Sequence, residues 1–537
     1  MKKLILSITI TFLFAALAQG QHPPFAMTFG GTEEDNLSSI KVTSTGRAIT
    51  GGRTHGFDAP QGRDMLVSIL NTDGSLSNSW TIGTDTRDGI NSIVPLSEHS
   101  FIITGATVKN NTGATTDDWV ILKMGTAGHI TMEKFLGNPD HDDQLHGAIL
   151  TSDKRIVACG VTGIPGGNRI GTVAMLDTLG GILWAKAFDE GPSIEVFEKI
   201  KETTDGLLIV GSSNALDGSG QDVSLAKLDF SGNLLWSKVY DDGNISRGDK
   251  FIEVLENGEA IIVDNLVNGD DLDILLIKVN ATGGVIWARK YGGPKSESCN
   301  FIIQGNDGNL LAGGSTNSFG QDGSNALLFK IDPAGNLLWA HAYGEDGNES
   351  FYSIDRFAAE NSQRYLLAGL SSSFTQDGNT DAFVVRVNEN GQGFLQCFTS
   401  DISLESEDRT SQITVNNIGA LSNWSEPASH DFTVTERSLE SLMLCPPVNT
   451  YEAHSHSSLR LFPNPAGGQA LVRWELPLPQ NGSLQLFNAQ GRLMLRREIE
   501  QGTSEVALDT SQLPDGLYFL EVQIGKKIDA GKLMVRR

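Results

Sequence analysis

Carboxylates are the commonest groups in this chain that could do chemistry, with 65 Asp and Glu against 40 Lys and Arg. The run Asp377-x-Asn379-x-Asp381 holds oxygens at the alternate spacing that opens a calcium loop. It lacks the glycine at the sixth position and the bidentate glutamate at the twelfth, where Asn388 falls. Similar turns run from Asp217 to Asp222 and from Asn268 through Asp270 and Asp271 to Asp273. Turns tied by side chain to backbone bonds are expected at all three, with a structural Ca2+ bound in one or more of them the hypothesis that spacing allows. The ten histidines fall in no metal-ligand spacing; His141 and His146 lie in a connection, His454 and His456 near the tail. Of the four cysteines, Cys159 sits in an apolar run and Cys299 opens a strand, so both read as core. Cys397 and Cys445 bracket a later stretch and are expected to form a disulfide in an oxidising compartment. No catalytic constellation emerges, and no catalytic or metal-binding residue is expected.

The elements that must carry these residues repeat. Trp184, Trp236, Trp287 and Trp339 are spaced by 52, 51 and 52 residues, each four positions after a glycine: Gly180, Gly232, Gly283 and Gly335. Each is followed four residues later by Phe188, Tyr240, Tyr291 or Tyr343, which alternation puts on the same face of a strand. Asn78 and Met132 stand in the Trp place in two outlying units, with Trp80 out of register. Phe25/Phe29 and Phe394/Phe398 resemble the aromatic pair at either end, so either could complete the last unit. The fourth unit reads as four strands: Val196 to Lys201, Gly206 to Ser212, Asp222 to Asp229 and Asn233 to Tyr240. A glycine recurs at the end of second strands, at Gly51, Gly105, Gly160, Gly211, Gly313 and Gly369, with Asp264 breaking the series. An Asp or Asn opens third strands at Asp64, Asp118, Asp222, Asp273, Asn325 and Asp381 and is expected to tie its own turn. Seven four-stranded units predict an all-β fold, a seven-bladed β-propeller over 21–398, which closes on itself and leaves no long open edge. An open β-solenoid is the runner-up, disfavoured by units this long. These repeats resemble the Trp-containing propeller repeats of secreted bacterial surface proteins. Residues 399–452 alternate over Ser411 to Ile418 and Asp431 to Val434, and are expected to pack on the propeller's side, held by Cys397–Cys445. A linker at 453–458 follows.

The two ends speak of export. Lys2 and Lys3, an apolar run from Leu4 to Ala18, and Ala18-Gln19-Gly20 make a three-part signal at 1–20, with cleavage expected between Gly20 and Gln21. The run is shorter than the roughly 20 residues that span a bilayer, and no integral membrane protein is expected. At the other end, Pro463-Asn464-Pro465, Gly491, Gly516 with Tyr518, and Gly531-Lys532 fall in order among short alternating strands with Gly-containing turns, predicting a small β-sandwich at 459–537. This tail resembles the type A sorting domain of the type IX secretion system. The resemblance implies recognition by an outer-membrane translocon, then release or attachment at the cell surface.

Charge narrows the partners. The chain carries −25; the tail is +2 and the body between signal and tail −29. An acidic body repels phosphate backbones, so nucleic acid is not expected. The expectation is a binding or adhesion module for an unknown glycan or protein ligand at one mouth of the ring. The alternative is a secreted enzyme, either polysaccharide-acting or of the quinone-cofactor dehydrogenases, whose blades carry a similar Trp motif; no vicinal Cys pair supports the latter.

Overall fold

The computed structural model describes residues 25–537 apart from 56–61, 85–86, 110–115, 138–140, 165–168, 189–194, 214–220, 245, 358–363, 376–377, 393–398, 418–420, 424–432, 438–439, 446–458, 463–465, 467, 475–480, 489–492, 515, 525–526 and 537. The signal segment, Cys397, Phe394, Phe398, Asp217 and Asp377 therefore lie outside the described residues. Two compact units divide the chain, Met1–Leu442 and Met443–Arg537.

The first unit is a series of antiparallel meanders. Sheet one comprises Asp35–Val42, Ala48–Thr54, Asp64–Leu70 and Leu76–Gly83. Sheet two runs from Asp88–Ser97 to Ile130–Leu136, sheet three from Asp143–Leu150 to Ile182–Phe188, and sheet four from Glu195–Thr203 to Leu234–Asp241. Sheet five spans Ser246–Val254 to Val285–Gly292, and sheet six Glu297–Gln304 to Leu337–Tyr343. Sheet seven has three consecutive strands, Glu349–Arg356, Arg364–Ser371 and Asp381–Asn388, and takes its fourth, Phe25–Gly30, from the other end of the chain. Phe25 sits opposite Arg386 there, so of the two candidate end strands the N-terminal one completes this sheet.

Burial follows the sequence pattern. Second and third strands, such as Gly206–Ser213 and Asp222–Leu228, are buried at every position, which continuous apolar runs between packed sheets require. The hairpin joining third to fourth strands is what the recurring glycine encodes. Gly232 has φ +78°, its N–H donates to Asp229 O at 3.0 Å, and the Asp229 carboxylate accepts from Ser231 N and Asn233 N. The left-handed residue closes a three-residue loop with a bulge, a conformation that costs glycine nothing.

The aromatic ladder works between sheets. Trp184 lies against Gly232 of the next sheet's hairpin and donates from Nε1 to Phe230 O at 3.1 Å. Trp236 covers Gly283, Trp339 covers Gly391, and Trp287 donates to Pro333 O at 3.2 Å. Tyr240 and Tyr291 add hydroxyl bonds to Gly283 O (2.8 Å) and Gly335 O (2.6 Å), and Tyr343 bonds Gly391 O. Trp and Tyr share a face as expected, but their partner is the neighbouring turn. Phe25 takes the Trp place against Gly74. Trp80, out of register in the sequence, is buried against Gly128 and fills this role for sheet one. Its strand simply carries the ring two positions along the same face.

First strands pack on one another in sequence from sheet one to sheet seven, and the first strand of sheet seven packs on that of sheet one. There Ile40 N donates to Ser353 Oγ (3.2 Å) and Val42 N to Asp355 Oδ2 (2.7 Å). Buried Arg386 stacks its guanidinium over Phe25 at 4.7 Å and donates to Thr72 O of sheet one at 2.6 Å.

The stretch after sheet seven is a belt. Thr399–Ile402 adds a fifth strand to sheet six, Glu405–Asp408 to sheet five, Thr414–Asn417 to sheet four, Leu421–Asn423 to sheet three, Thr433–Arg437 to sheet one and Glu440–Cys445 to sheet seven. Among the described residues it visits six of the sheets in reverse order and pairs with the free edge of their fourth strands, sheet two alone having none, where unpaired N–H and C=O groups would otherwise face solvent. The strand expected over Ser411 to Ile418 is shorter, because Thr410–Gln412 forms a 3-10 turn. Buried Cys159 and Cys299 are free thiols.

In the second unit, Leu459–Phe462, Gln469–Trp474 and Glu505–Asp509 form one sheet. Leu493–Ile499, Gly482–Asn488, Gly516–Ile524 and Lys527–Val535 form another. Val472, Val506 and Leu508 from the first meet Leu484, Leu520 and Leu533 from the second in one core.

Candidate binding channel

Each first strand departs from its partner by a bulge at the same level. One extra residue is inserted at Ser38, Asn91, His146, Glu198, Asn300 and Tyr352, and in sheet five three residues, Gly248 to Lys250, stand opposite Asp264 alone. Bulges re-aim side chains, and Ser38, Asn91, His146, Gly248, Asp249, Asn300 and Tyr352 line one cavity of about 970 Å³ bordered by the first strands of all seven sheets. Several reach to the next sheet. Ser38 Oγ bonds Ile90 O, Asn91 Nδ2 bonds Leu145 O, Asn300 Nδ2 donates to Phe351 O at 2.8 Å, and Glu198 accepts from Lys250 N.

The bulges also explain the recurring glycine. A Cβ at Gly52, Gly105, Gly160, Gly211, Gly314 or Gly369 would strike the carbonyl oxygen just before the bulge, at 1.8–2.3 Å. In sheet one the glycine that meets this carbonyl is thus Gly52 rather than Gly51, and in sheet six Gly314 meets it while a Cβ at Gly313 would strike Leu327 O. Asp264 holds this place in sheet five, where the longer bulge leaves room. It pairs with fully buried Lys250 at 2.9 Å and accepts from Ser246 Oγ at 2.6 Å.

Two titratable lining residues, His146 and Asp249, adjoin the buried pair Glu198 and Lys250. Burial pushes the Glu198 carboxyl up to about 7 against the Lys250 charge. Desolvation pulls the His146 imidazole down to about 4, opposed by Asp249. Burial disfavours the Lys250 cation, yet Asp264 and Glu198 hold it above its ordinary value. A carboxyl near neutrality in a cavity is a candidate acid or base. Here both oxygens are committed, Oε1 to Ser212 Oγ and Oε2 to Lys250 N, the arrangement of a structural carboxyl.

A second polar set recurs where the strands begin. Buried Asp35, Asp88, Asp143, Glu297 and Glu349 start first strands, opposite Thr54, Thr107, Thr162, Thr316 and Ser371. Glu297 accepts from Thr316 Oγ1 (2.7 Å) and Gly293 N (2.5 Å), and Glu349 from Ser371 Oγ (2.7 Å). Burial raises Asp35, Glu297 and Glu349 above the usual carboxylate range. Sequence reading missed this set, although an acid at the start of successive units was visible. The third-strand opener ties its own turn at Asn325, which donates to Gln321 O (2.9 Å); Asp273 instead engages Lys290 and Asn268. Of the calcium-spaced oxygens, Asn379 Nδ2 donates to Thr32 O at 3.0 Å, and Asp381 approaches Gly30 beside Asp35. No group of three metal-ligating side chains occurs among the described residues.

In the tail, Tyr518 is buried and donates to Pro514 O at 2.8 Å. Gly516 begins a strand, and Gly531 and Lys532 pair with Leu520 and Phe519. Pro463, Asn464, Pro465 and Gly491 lie outside the described residues. Residues 460–536 match the family model described as the secretion system C-terminal sorting domain. The tail is a type IX sorting domain. This sorting domain marks the chain for export and for secretion or attachment at the outer surface. No helix among the described residues is long and apolar enough to cross a membrane.

Over the rest, the chain is 24% identical across 342 residues to the regulatory protein FlaEY of Caulobacter vibrioides, covering 58% of this chain and 33% of that protein. It thus spans about a third of that relative's length. Among solved structures, Sqt1 of Chaetomium thermophilum aligns at 10% identity and TM-score 0.34, over 68% of this chain and 98% of that one. Dimeric latent PorU of Porphyromonas gingivalis aligns at 12% and 0.13, over 75% and 35%. These scores are too low to bear on architecture or activity.

Proposed function

We propose that residues 25–445 close into a seven-bladed β-propeller that acts as a non-catalytic binding or adhesion module, delivered to the cell exterior by the sorting domain and taking its ligand in the central channel. The observation that carries this reading is the single cavity shared by seven bulged first strands, lined mainly by polar side chains rather than by an organised catalytic group. The cyclic packing of first strands and the N-terminal strand in sheet seven support closure. A polysaccharide-acting enzyme using the same channel is the alternative.

The test is glycan-array and protein-array binding by the full-length secreted protein. Specific, saturable capture without turnover is the expected outcome. Turnover of any polysaccharide in a panel, abolished by substitution of an acidic lining residue such as Asp249→Asn, would replace binding with catalysis.

A further inference from the structure

The channel's charge runs against that of the chain. Seven Lys and Arg line it against three Asp, in a protein of net charge −25. Three of the cations converge where sheets one and two meet. Arg53 ends the second strand of sheet one, Arg63 stands just before its third, and Arg87 just before the first strand of sheet two. The Arg63 carbonyl accepts from Asp88 N at 2.6 Å, so the backbones bearing Arg63 and Arg87 are laced together at the mouth.

Deeper lysines are occupied, Lys201 by Glu253 and Lys199 by the His146 carbonyl. The arginines are different. Arg53 meets the Asn36 amide oxygen at 2.8 Å, and no carboxylate forms a salt bridge with Arg53, Arg63 or Arg87 among the described residues. Arg63 is half-buried, and burial together with the charges of Arg53 and Arg87 weakens its hold on its proton, with Asp117 the opposing charge. The Asp117 carboxylate is itself engaged by Gln144 Nε2 at 3.0 Å. Three guanidinium groups held together against mutual repulsion are a ready site for an oxyanion, since each offers planar paired donors.

The neighbouring wall narrows the class. It carries the amide oxygens of Asn91, Gln144 and Asn300, their nitrogens already bonded to Leu145 O, Asp117 and Phe351 O, as acceptors suited to sugar hydroxyls. Tyr352, 36% exposed, offers an aromatic face of the kind sugar rings stack on.

We infer that the mouth between sheets one and two binds an acidic saccharide, its carboxylate or sulfate held by Arg53, Arg63 and Arg87 and its hydroxyls by the surrounding amides. This rests on the channel being a binding site, as proposed above. In a body this acidic, the local cationic mouth also steers such a ligand to one place, and screening by salt weakens it.

Calorimetry on the full-length secreted protein tests it, with polygalacturonate oligomers, sulfated galactan oligomers and neutral galactan oligomers as probes. Charged oligomers are expected to bind at least about tenfold tighter than neutral ones, the scale of one lost hydrogen bond to a charged group. Salt should erode the difference. Arg63→Gln with Arg87→Gln should erase it while leaving the melting temperature unchanged. Binding of only one charged probe assigns the anion as carboxylate or sulfate. Equal affinity for neutral and charged oligomers, charged binding untouched by the double substitution, or preference for poly-glutamate over every saccharide would overturn the inference. In those cases a ligand found on the arrays leaves the binding reading standing. Silence on every array takes both down.

Discussion

Glu198 is 4% exposed at the bulge of its first strand, with Lys250 and Asp249 as the charges acting on it. Burial raises its carboxyl from 4.5 to about 7, so the fold favours the protonated form. Its contribution to stability is complete below about pH 4.5 and is lost as pH rises through about 7. His146 acts the other way: its depressed imidazole contributes above pH 6.5, and that contribution is lost as pH falls through about 4. Replacing Glu198 with Gln should therefore remove one of two opposing slopes. Melting curves of wild type and Glu198→Gln should run parallel below about pH 4.5 and draw apart in the variant's favour toward pH 7. Curves parallel across the whole range would show that Glu198 titrates normally. Nothing in the residue type announced this. The sequence placed Glu198 correctly in a first strand, but an inserted residue is invisible when the spacing between units already varies.

The sheet five bulge shows what a broken series can mean at the scale of an element. Six sheets need a glycine because a carbonyl oxygen crowds its Cβ position, and Asp264 was legible in the sequence as the exception. What could not be read was its partner, since Gly248 to Lys250 leave no periodic mark. Lys250 is fully buried, and Asp264 neutralises it. Asp264→Gly would restore the repeat pattern yet strand a buried ammonium, at a cost of about 3–5 kcal/mol. Denaturant unfolding of the first unit should report this loss, and Lys250→Met together with Asp264→Gly should recover much of it. A neutral or stabilising single substitution would mean that the bulge rearranges to expose Lys250. The hairpins were far more legible, because an Asp or Asn, two residues and a glycine specify their own geometry. The belt was the least legible element. Its strands are three to six residues long, and their pairing is set by distant sheet edges rather than by local pattern.

At the scale of the whole molecule, the export signal sits in its own compact stretch of chain. Deleting 460–536 should leave the protein inside the cell envelope while preserving the spectroscopic signature and melting of the first unit. Fractionation with an antibody against the first unit checks this, and undiminished appearance of the truncated chain outside the cell would refute it. The order of the tail motifs made the sorting domain readable from sequence. The acidic total of −25, in contrast, concealed the cationic mouth, because Arg53, Arg63 and Arg87 are scattered in sequence and meet only through the lacing of two sheets.

The placing of Phe25–Gly30 also sets a clock. Phe25 waits for Arg386, so the first strand to be made is among the last to find its place. Closing a loop of that span costs on the order of 5 kcal/mol of chain entropy before any contact repays it. Six sheets can form as their own local hairpins while this strand stays unpaired. Registering it, and then the belt whose last strand lies beside it, is expected to be the slow phase of folding, in keeping with the slowness of non-local β pairing. Until then sheet seven lacks its fourth strand, and a second copy of the chain could supply it as readily as its own N-terminus.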